Sequence, residues 1–228
     1  MVDIKSNLQI VRQKIEIAAK NAGRSPQDIK LVAVTKTIPV EKIAEAIEAG
    51  VTDIGESRVQ EAAEKAAILK KKYPHVVWHM IGHLQRNKTW QALDIFDIIQ
   101  SLDSERLARE IADQRPVAAL VEVNTSGEET KYGMPVESIK DLLQTISNFG
   151  NIQVQGLMTI APIVSDPDKA RPYFKKLREL SEEIKTLNLP HIEMKYLSMG
   201  MSDDFEAAIQ EGATLIRVGR AIFGTRGG

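Results

Sequence analysis

The chain contains no cysteine among its 228 residues. A disulfide framework and a thiolate metal site are therefore both excluded, which is typical of proteins in a reducing compartment. No apolar run approaches the roughly 20 residues that a membrane-spanning helix needs. Residues 1–5 also lack the apolar core of a secretory signal. Together these absences predict a cytoplasmic protein that does not enter a membrane.

An excess of charge of either sign is also missing. The chain has 30 basic and 31 acidic residues, so its net charge is -1 and no general affinity for nucleic acid is expected. The run 70–72 of three lysines is too short to indicate otherwise. With 43% hydrophobic residues, the chain is long enough for one sizeable core. No linker or repeat divides it, which favours a single domain over residues 1–228.

One stretch organises the rest of the sequence. Residues 31–35 are apolar or β-branched and lead directly into Lys36. Such a continuous apolar segment is typical of a parallel strand that is buried on both faces. A lysine at the carboxyl end of that strand would be partly desolvated, and desolvation favours the neutral amine that attacks carbonyls. Lys36 is thus a candidate Schiff-base lysine; the alternative is a solvated lysine that begins a loop.

Strand and helix patterns alternate along the whole chain. An amphipathic helix over 7–21 comes first, and the longest helix is predicted over 167–187. Eight strands are predicted, over 31–35, 51–54, 76–81, 95–100, 117–123, 152–157, 192–197 and 214–218. This number predicts an α/β fold of the closed (β/α)8 barrel type with an extra amino-terminal helix. A doubly wound open sheet is the alternative, but the glycine-rich dinucleotide fingerprint is absent after the first strand.

In a barrel of this kind, the loop after every strand opens on one end, where ligands bind. The last loops commonly hold phosphate, and Gly219 there lets the backbone approach an anion, while Ser198 adds a hydroxyl donor. Arg217 alternates with apolar residues in the last strand and needs a partner, either an internal carboxylate or a ligand. Together with Lys36, these residues predict a pyridoxal phosphate (PLP) site. A Schiff-base aldolase of sugar phosphates would use the same elements.

Several long sequence motifs, taken in their order along the chain, resemble those of the pyridoxal phosphate homeostasis protein family. The fold of that family is similar to the barrel domain of alanine racemase (fold type III). The motifs are Leu31–Lys36, Gly55–Glu56 with Val59–Glu61, Trp78–Lys88, Asn124–Met134, Gly156–Ile160, Ser198–Phe205 and Arg217–Gly224. The resemblance implies a small cofactor-binding protein that takes part in the homeostasis of PLP, without enzymatic turnover.

The resemblance also implies roles for single residues. Lys36 would hold the cofactor as a covalent aldimine, and Arg217 would bind the pyridine nitrogen. Ser198, Gly219 and Arg220 would contact the phosphate. The family usually has asparagine where this chain has Ser57, so the shorter Ser57 side chain would reach the cofactor through water. At position 220 the family often has a small hydroxyl residue, so Arg220 could act through its backbone N–H alone.

A racemase is the competing interpretation. Racemisation needs an acid/base group on each side of the substrate carbon. In the racemases that this chain resembles, the second group is a tyrosine of another domain, for which 228 residues leave no room. The missing domain favours a monomer. Tyr132 is the one tyrosine that could approach the cofactor, although a solvated loop position is expected for it.

A third interpretation, a metal-dependent hydrolase built on His79 and His83, is weak. The four-residue spacing defines no geometry where a strand runs into a loop, and no carboxylate accompanies the pair at a telling distance.

Overall fold

The structure is a computed structural model that describes residues 2–128 and 130–225, with strands and helices alternating along them. The strands are β1 (Lys30–Val34), β2 (Asp53–Glu56), β3 (Val77–Met80), β4 (Ile98–Leu102), β5 (Val117–Asn124), β6 (Met134–Pro135), β7 (Ile152–Met158), β8 (Ile192–Ser198) and β9 (Leu215–Val218). The helices are α1 (Ile4–Asn21), α2 (Val40–Glu48), α3 (Val59–Lys72), α4 (Thr89–Ile95), α5 (Glu105–Ala112), α6 (Ile139–Ile146), α7 (Arg171–Lys185), α8 (Phe205–Gln210) and α9 (Arg220–Phe223).

Eight of these strands form a closed parallel barrel. Around the ring they follow the order β4, β3, β2, β1, β9, β8, β7, β5, and the pairing of β4 with β5 closes it. The two-residue β6 pairs with the end of β5 outside this ring. The predicted (β/α)8 barrel is therefore confirmed, and the open doubly wound sheet is excluded because such a sheet keeps two unpaired edges.

The predicted amino-terminal helix is confirmed as α1, which begins three residues earlier than expected. Asp3 caps it by accepting a hydrogen bond from the Ser6 backbone N–H at 2.9 Å. Buried residues recur every three or four positions along one face, at Ile4, Leu8, Val11, Ile15, Ala18 and Ala19. That face packs on α2, α8 and α9, so α1 covers the barrel where its first and last units meet.

The prediction of the longest helix was wrong. α1 has 18 residues, whereas α7 has 15. The segment Pro167–Ala170, which was expected to begin the long helix, forms a separate 3-10 turn. Its proline and the Asp166 side chain, which accepts from the Asp168 N–H, produce this tighter turn ahead of α7.

The core has two compartments, because each barrel strand has one side toward the helices and one toward the barrel axis. The larger compartment lies between strands and helices and contains most of the buried apolar residues. The smaller apolar cluster comprises Val32, Leu120, Met158 and Leu215. The barrel interior also holds buried polar side chains, among them Asp53, His79, Gln100 and Arg217. In the described part of the chain, no helix is long and apolar enough to cross a bilayer.

Candidate functional site

A cavity of about 730 Å³ lies at the carboxyl end of the barrel. Its walls come from the loops that follow several strands, and its lining includes Lys36, Ser57, His83, Glu122 and Tyr132. This is the end at which barrels of this type bind their ligands. The predicted lysine and Ser57 therefore line one cavity, as expected if both belong to the site.

A second cleft, of about 570 Å³, opens at the other end of the barrel. It is lined by residues that precede or begin the first two strands, including Lys30, Val51 and Asp53. None of the six predicted cofactor residues lines it. Chemistry that involves Lys36 therefore belongs to the first cavity.

The residues on either side of Lys36 are held by a buried ionic cluster. The Lys65 ammonium on α3 donates to the Thr35 carbonyl, to Glu56 Oε1 and to Glu61 Oε1, each at 2.7 Å. The Thr35 hydroxyl donates to Glu56 Oε1 at 2.6 Å. Glu61 Oε1 also accepts from the backbone N–H of Thr37. We call these five residues (Thr35, Thr37, Glu56, Glu61 and Lys65) the lysine clamp, since they fix the backbone before and after Lys36.

The charged side chains of the lysine clamp are largely shielded from water. The side chains of Lys65 and Glu56 are only 8% and 0% exposed. Burial raises the pKa of Glu56 above its usual value, and the hydrogen bonds from Lys65 and Thr35 oppose that rise. Burial also acts to raise the pKa of Glu61, but the hydrogen bonds from Lys65 and from Thr37 outweigh it and lower that pKa. The positive charge of Lys65 therefore stabilises the carboxylates of both Glu56 and Glu61.

The backbone of the Lys36 loop is itself constrained. Thr37 has a φ of 64°, a left-handed conformation that is uncommon for a residue other than glycine. A neighbouring contact shows how tightly these loops pack: a Cβ at Gly82 would lie 2.5 Å from the Ser57 carbonyl oxygen. Glycine at position 82 therefore lets the loops after β2 and β3 touch, which places Ser57 in the wall of the cavity.

Arg217 lies inside the barrel on β9 and is 4% exposed. Its Nη1 donates to the Ser198 hydroxyl at 2.6 Å, and its Nη2 donates to the Thr159 carbonyl at 2.8 Å. Burial lowers the pKa of Arg217 to about 10, against the opposing charges of Glu122 and Asp204. Among the described residues, no carboxylate forms a direct ion pair with it at 4.0 Å or less. Of the two partners considered for Arg217, an internal carboxylate is thus represented only by Glu122 and Asp204, whose charges act on Arg217 without direct contact.

A further residue at this cavity, Glu122, was not predicted from the sequence. It lies on β5, is 5% exposed and lines the cavity with Lys36. Burial, reinforced by the charge of Asp103, raises its pKa to about 7, although Arg217 acts in the opposite direction. A signal was present, because a glutamate within the apolar segment 117–123 is as unusual as an arginine within β9.

The residues predicted to contact phosphate cluster at the ends of β8 and β9. The Ser198 hydroxyl donates to Gln100 Oε1 at 2.6 Å and accepts from Arg217, so a phosphate contact would require it to leave Gln100. A Cβ on Gly219 would lie 3.2 Å from Val34, so the absence of a side chain there also lets β9 pack on β1. The Arg220 side chain is half exposed and pairs with Asp203.

The two histidines lie in different surroundings. His79 is fully buried in the barrel interior, whereas the His83 side chain is 37% exposed at the cavity mouth. His83 Nδ1 lies 2.9 Å from Asp103 Oδ2, which accepts from it, and the Tyr132 ring stacks on His83 with the centroids 4.4 Å apart. Tyr132 is 62% exposed, as expected for a loop residue, but it also lines the cavity. Within residues 2–128 and 130–225, no three potential ligands are grouped so that they could hold a metal ion.

The chain matches known proteins over nearly its whole length. The family model for the N-terminal domain of alanine racemase matches residues 6–227. A pyridoxal phosphate homeostasis protein of Aquifex aeolicus is 43% identical over 227 residues, which cover 96% of both chains.

Solved structures agree with this match. The crystal structure of an unknown protein from Bifidobacterium adolescentis is 38% identical, with a TM-score of 0.93, covering 96% of this chain and 94% of that one. PipY of Synechococcus elongatus PCC7942, solved with PLP bound, is 33% identical with a TM-score of 0.81, covering 97% of this chain and 100% of PipY.

Alanine racemase of Corynebacterium glutamicum shares only the fold, with 15% identity and a TM-score of 0.72, and this chain covers 62% of its length. The full-length matches, together with the barrel and its lysine-lined cavity, show that the chain belongs to the pyridoxal phosphate homeostasis protein family.

Proposed function

We propose that this chain, as a single barrel domain over residues 1–228, binds pyridoxal 5'-phosphate and takes part in PLP homeostasis without catalytic turnover. The observation that carries the proposal is the position of Lys36 in a cavity of about 730 Å³ at the carboxyl end of the barrel. The PLP-bound structure of the relative PipY supports the choice of cofactor.

The chemistry of the side chains fits this cofactor. When bound, PLP supplies an aldehyde, an electron-withdrawing pyridine ring and a phosphate. Lys36 offers the amine for covalent attachment, and the lysine clamp holds the backbone on both sides of it. Arg217 offers only N–H donors, which suit an unprotonated pyridine nitrogen. Gly219 and Arg220 would bind the phosphate at the start of α9, and Ser57 would contact the cofactor from the wall of the cavity.

An arginine partner for the ring has a chemical consequence that favours a binding role. A cationic donor disfavours protonation of the pyridine nitrogen, and the unprotonated ring withdraws electrons less strongly. The cofactor in this site would thus be a poorer catalyst of proton removal than one paired with a carboxylate. This argument supports a carrier of PLP over an enzyme that turns over amino acids.

A racemase of narrow specificity is the second candidate, and one observation favours it. Tyr132 and His83 stack on each other in the cavity wall that also contains Lys36, and His83 is hydrogen-bonded to Asp103. Such a group could provide the second acid/base that racemisation needs. Incubation of the PLP-loaded chain with single L-amino acids, followed by chiral chromatography, separates the two candidates. Robust turnover that Tyr132→Phe or His83→Asn abolishes would replace the carrier proposal with the racemase.

The binding proposal is tested by trapping the cofactor. Purified chain with added PLP should absorb in the visible range, and borohydride should attach the pyridoxyl group permanently to the peptide that contains Lys36. Lys36→Ala should remove this label. Lys88→Ala is the matched control, because Lys88 lines the same cavity and should leave the label in place. A label on another lysine, or none at saturating PLP, would contradict the proposal.

We also propose that the chain acts as a monomer in the cytoplasm, with a small molecule as its main ligand. The support is that the eight-strand ring closes on itself, so none of its strands offers an edge for pairing with a second copy. Light scattering of the PLP-loaded chain tests the oligomeric state, since a stable dimer would double the mass.

A further inference from the structure

A chain of hydrogen bonds runs through the barrel interior, from Arg217 on β9 to Asp53 at the beginning of β2. Arg217 donates to Ser198, and Ser198 donates across the barrel to Gln100 Oε1 on β4, each at 2.6 Å. Gln100 Nε2 lies 2.9 Å from His79 Nδ1 on β3, and His79 Nε2 lies 3.0 Å from Asp53 Oδ1. Five strands thus each contribute one side chain.

The donors of this chain all point in one direction. An amide nitrogen can only donate, so His79 Nδ1 accepts from Gln100, and the remaining ring proton lies on Nε2 and is donated to Asp53. If the Gln100 amide were reversed, its nitrogen would face the Ser198 hydroxyl, which would then accept from both Arg217 and Gln100 and lose the acceptor for its own proton. In every link, therefore, the residue nearer to Arg217 donates the hydrogen bond and the residue nearer to Asp53 accepts it.

The chain is isolated from water over its whole length. Gln100, His79 and Ser198 are fully buried, and Asp53 and Arg217 are 1% and 4% exposed. At the far end, Asp53 also accepts from the Thr52 hydroxyl at 2.7 Å and lies 3.2 Å from the Lys30 ammonium. Because water cannot replace a lost hydrogen bond here, breaking any one bond would leave a buried polar group unpaired at a cost in free energy. This cost favours a single arrangement of the five side chains.

We propose that Ser198, Gln100, His79 and Asp53 are positioning residues, which together fix the orientation of the Arg217 guanidinium for the PLP ring. The inference rests on the proposed function only for the identity of the ligand. Two of the five N–H donors of Arg217 are held, one by Ser198 and one by the Thr159 carbonyl, and this sets the plane of the group. Ser198 is held in turn by Gln100, and Gln100 by His79.

The first experiment compares variants of the PLP-loaded chain by absorption spectrum and by PLP affinity. Gln100→Met removes the donor and the acceptor while keeping the volume, and should weaken PLP binding about tenfold and shift the visible band. Asp53→Asn keeps an acceptor for His79 Nε2, so it should retain affinity to within about threefold.

Gln153→Met is the matched control, because Gln153 forms the same type of bond to His191 on the surface of the barrel. Its affinity and spectrum should equal those of the unsubstituted chain. If Gln100→Met lowers stability but leaves the spectrum and affinity of PLP unchanged, Gln100 is only structural and the proposal is overturned.

The second experiment needs no cofactor. In the PLP-free chain, the ¹⁵N shifts of His79 should show the proton on Nε2, and the Arg217 side-chain N–H signals should be protected from solvent exchange. Gln100→Met, or Gln100→Leu if the first variant fails to fold, removes the acceptor for Ser198 and should remove this protection. Unchanged Arg217 signals would overturn the positioning chain, whereas a failure of the unsubstituted chain to bind PLP would overturn only the proposed function.

Discussion

Two buried polar systems lie in the barrel, and they hold their functional residues differently. In the lysine clamp, an ammonium touches two carboxylates at 2.7 Å. In the chain from Arg217 to Asp53, the cation and the carboxylate are separated by three neutral side chains. The first system acts through the attraction of opposite charges, and the second acts through the direction of its hydrogen bonds.

The difference explains what each system can control. A compact ionic cluster is suited to fixing a backbone, and the lysine clamp holds the carbonyl of Thr35 and the N–H of Thr37. A sequence of neutral links is suited to fixing a side chain without neutralising its charge. Arg217 thus keeps its charge, since its lowered pKa of about 10 still lies well above neutral pH.

Removal of the cation should break the first system and cause the largest effect. Lys65→Met leaves Glu56 and Glu61 without their shared partner, and we expect a loss of about 3–5 kcal/mol in the free energy of unfolding. Urea denaturation at neutral pH measures this loss. Lys72→Met is the matched control on the same helix, where water screens the exposed pair with Glu48 and the loss should be far smaller. Equal losses for the two variants would show that the clamp does not stabilise the fold.

A pH series probes the charge that faces Arg217. The pKa of Glu122 is raised from 4.5 to about 7, so the folded state prefers its protonated form. This stabilisation is fully present below about pH 4.5 and is lost as the pH rises through 7. At about 1.4 kcal/mol per pKa unit, ionisation in the folded state costs about 3 kcal/mol.

Glu122→Gln should remove that pH dependence. The difference in unfolding free energy between the variant and the unsubstituted chain should therefore change by about 3 kcal/mol between pH 4.5 and pH 8. The same substitution at the exposed Glu137 serves as the control. A difference that stays constant with pH would mean that Glu122 ionises normally.

The smallest effect is expected at the exposed end of the second system. The Lys30 side chain is 39% exposed and lies 3.2 Å from Asp53, which already accepts from His79 and Thr52. Water screens this ion pair, so Lys30→Met should cost about 1 kcal/mol or less in unfolding free energy. A loss as large as that of Lys65→Met would remove the distinction between the two systems.

The sequence predicted the barrel because each strand and helix has its own local pattern. Val32, Ala33 and Val34 predict β1 without reference to the rest of the chain, and the same holds for the apolar residues of β5. The boundary of α7 was missed, because the choice between a 3-10 turn and an α-helix at Pro167–Ala170 depends on small local hydrogen bonds. Of the six predicted cofactor residues, Lys36 and Ser57 line the cavity, since loops after parallel strands meet at one end, and the other four are not part of its lining.

Partners that are distant in sequence could not be predicted in this way. Nothing local relates Ser198 to Gln100, which is 98 residues away, and no helical or strand period relates Lys65 to Thr35. The role of Glu122 depends on how much water reaches it, which only the assembled barrel determines.

The sequence by itself thus determined the order of the strands and helices, the lysine at the end of the first strand and the family, because these are written in periodicity and in continuous motifs. Only the tertiary structure decided which polar side chains meet inside the barrel, which of them are dry, and which way their hydrogen bonds point. The physical reason is that barrel closure lets side chains of β4 and β8, three strands apart in the ring, meet in the interior and excludes water between them, and neither fact is a property of any one segment.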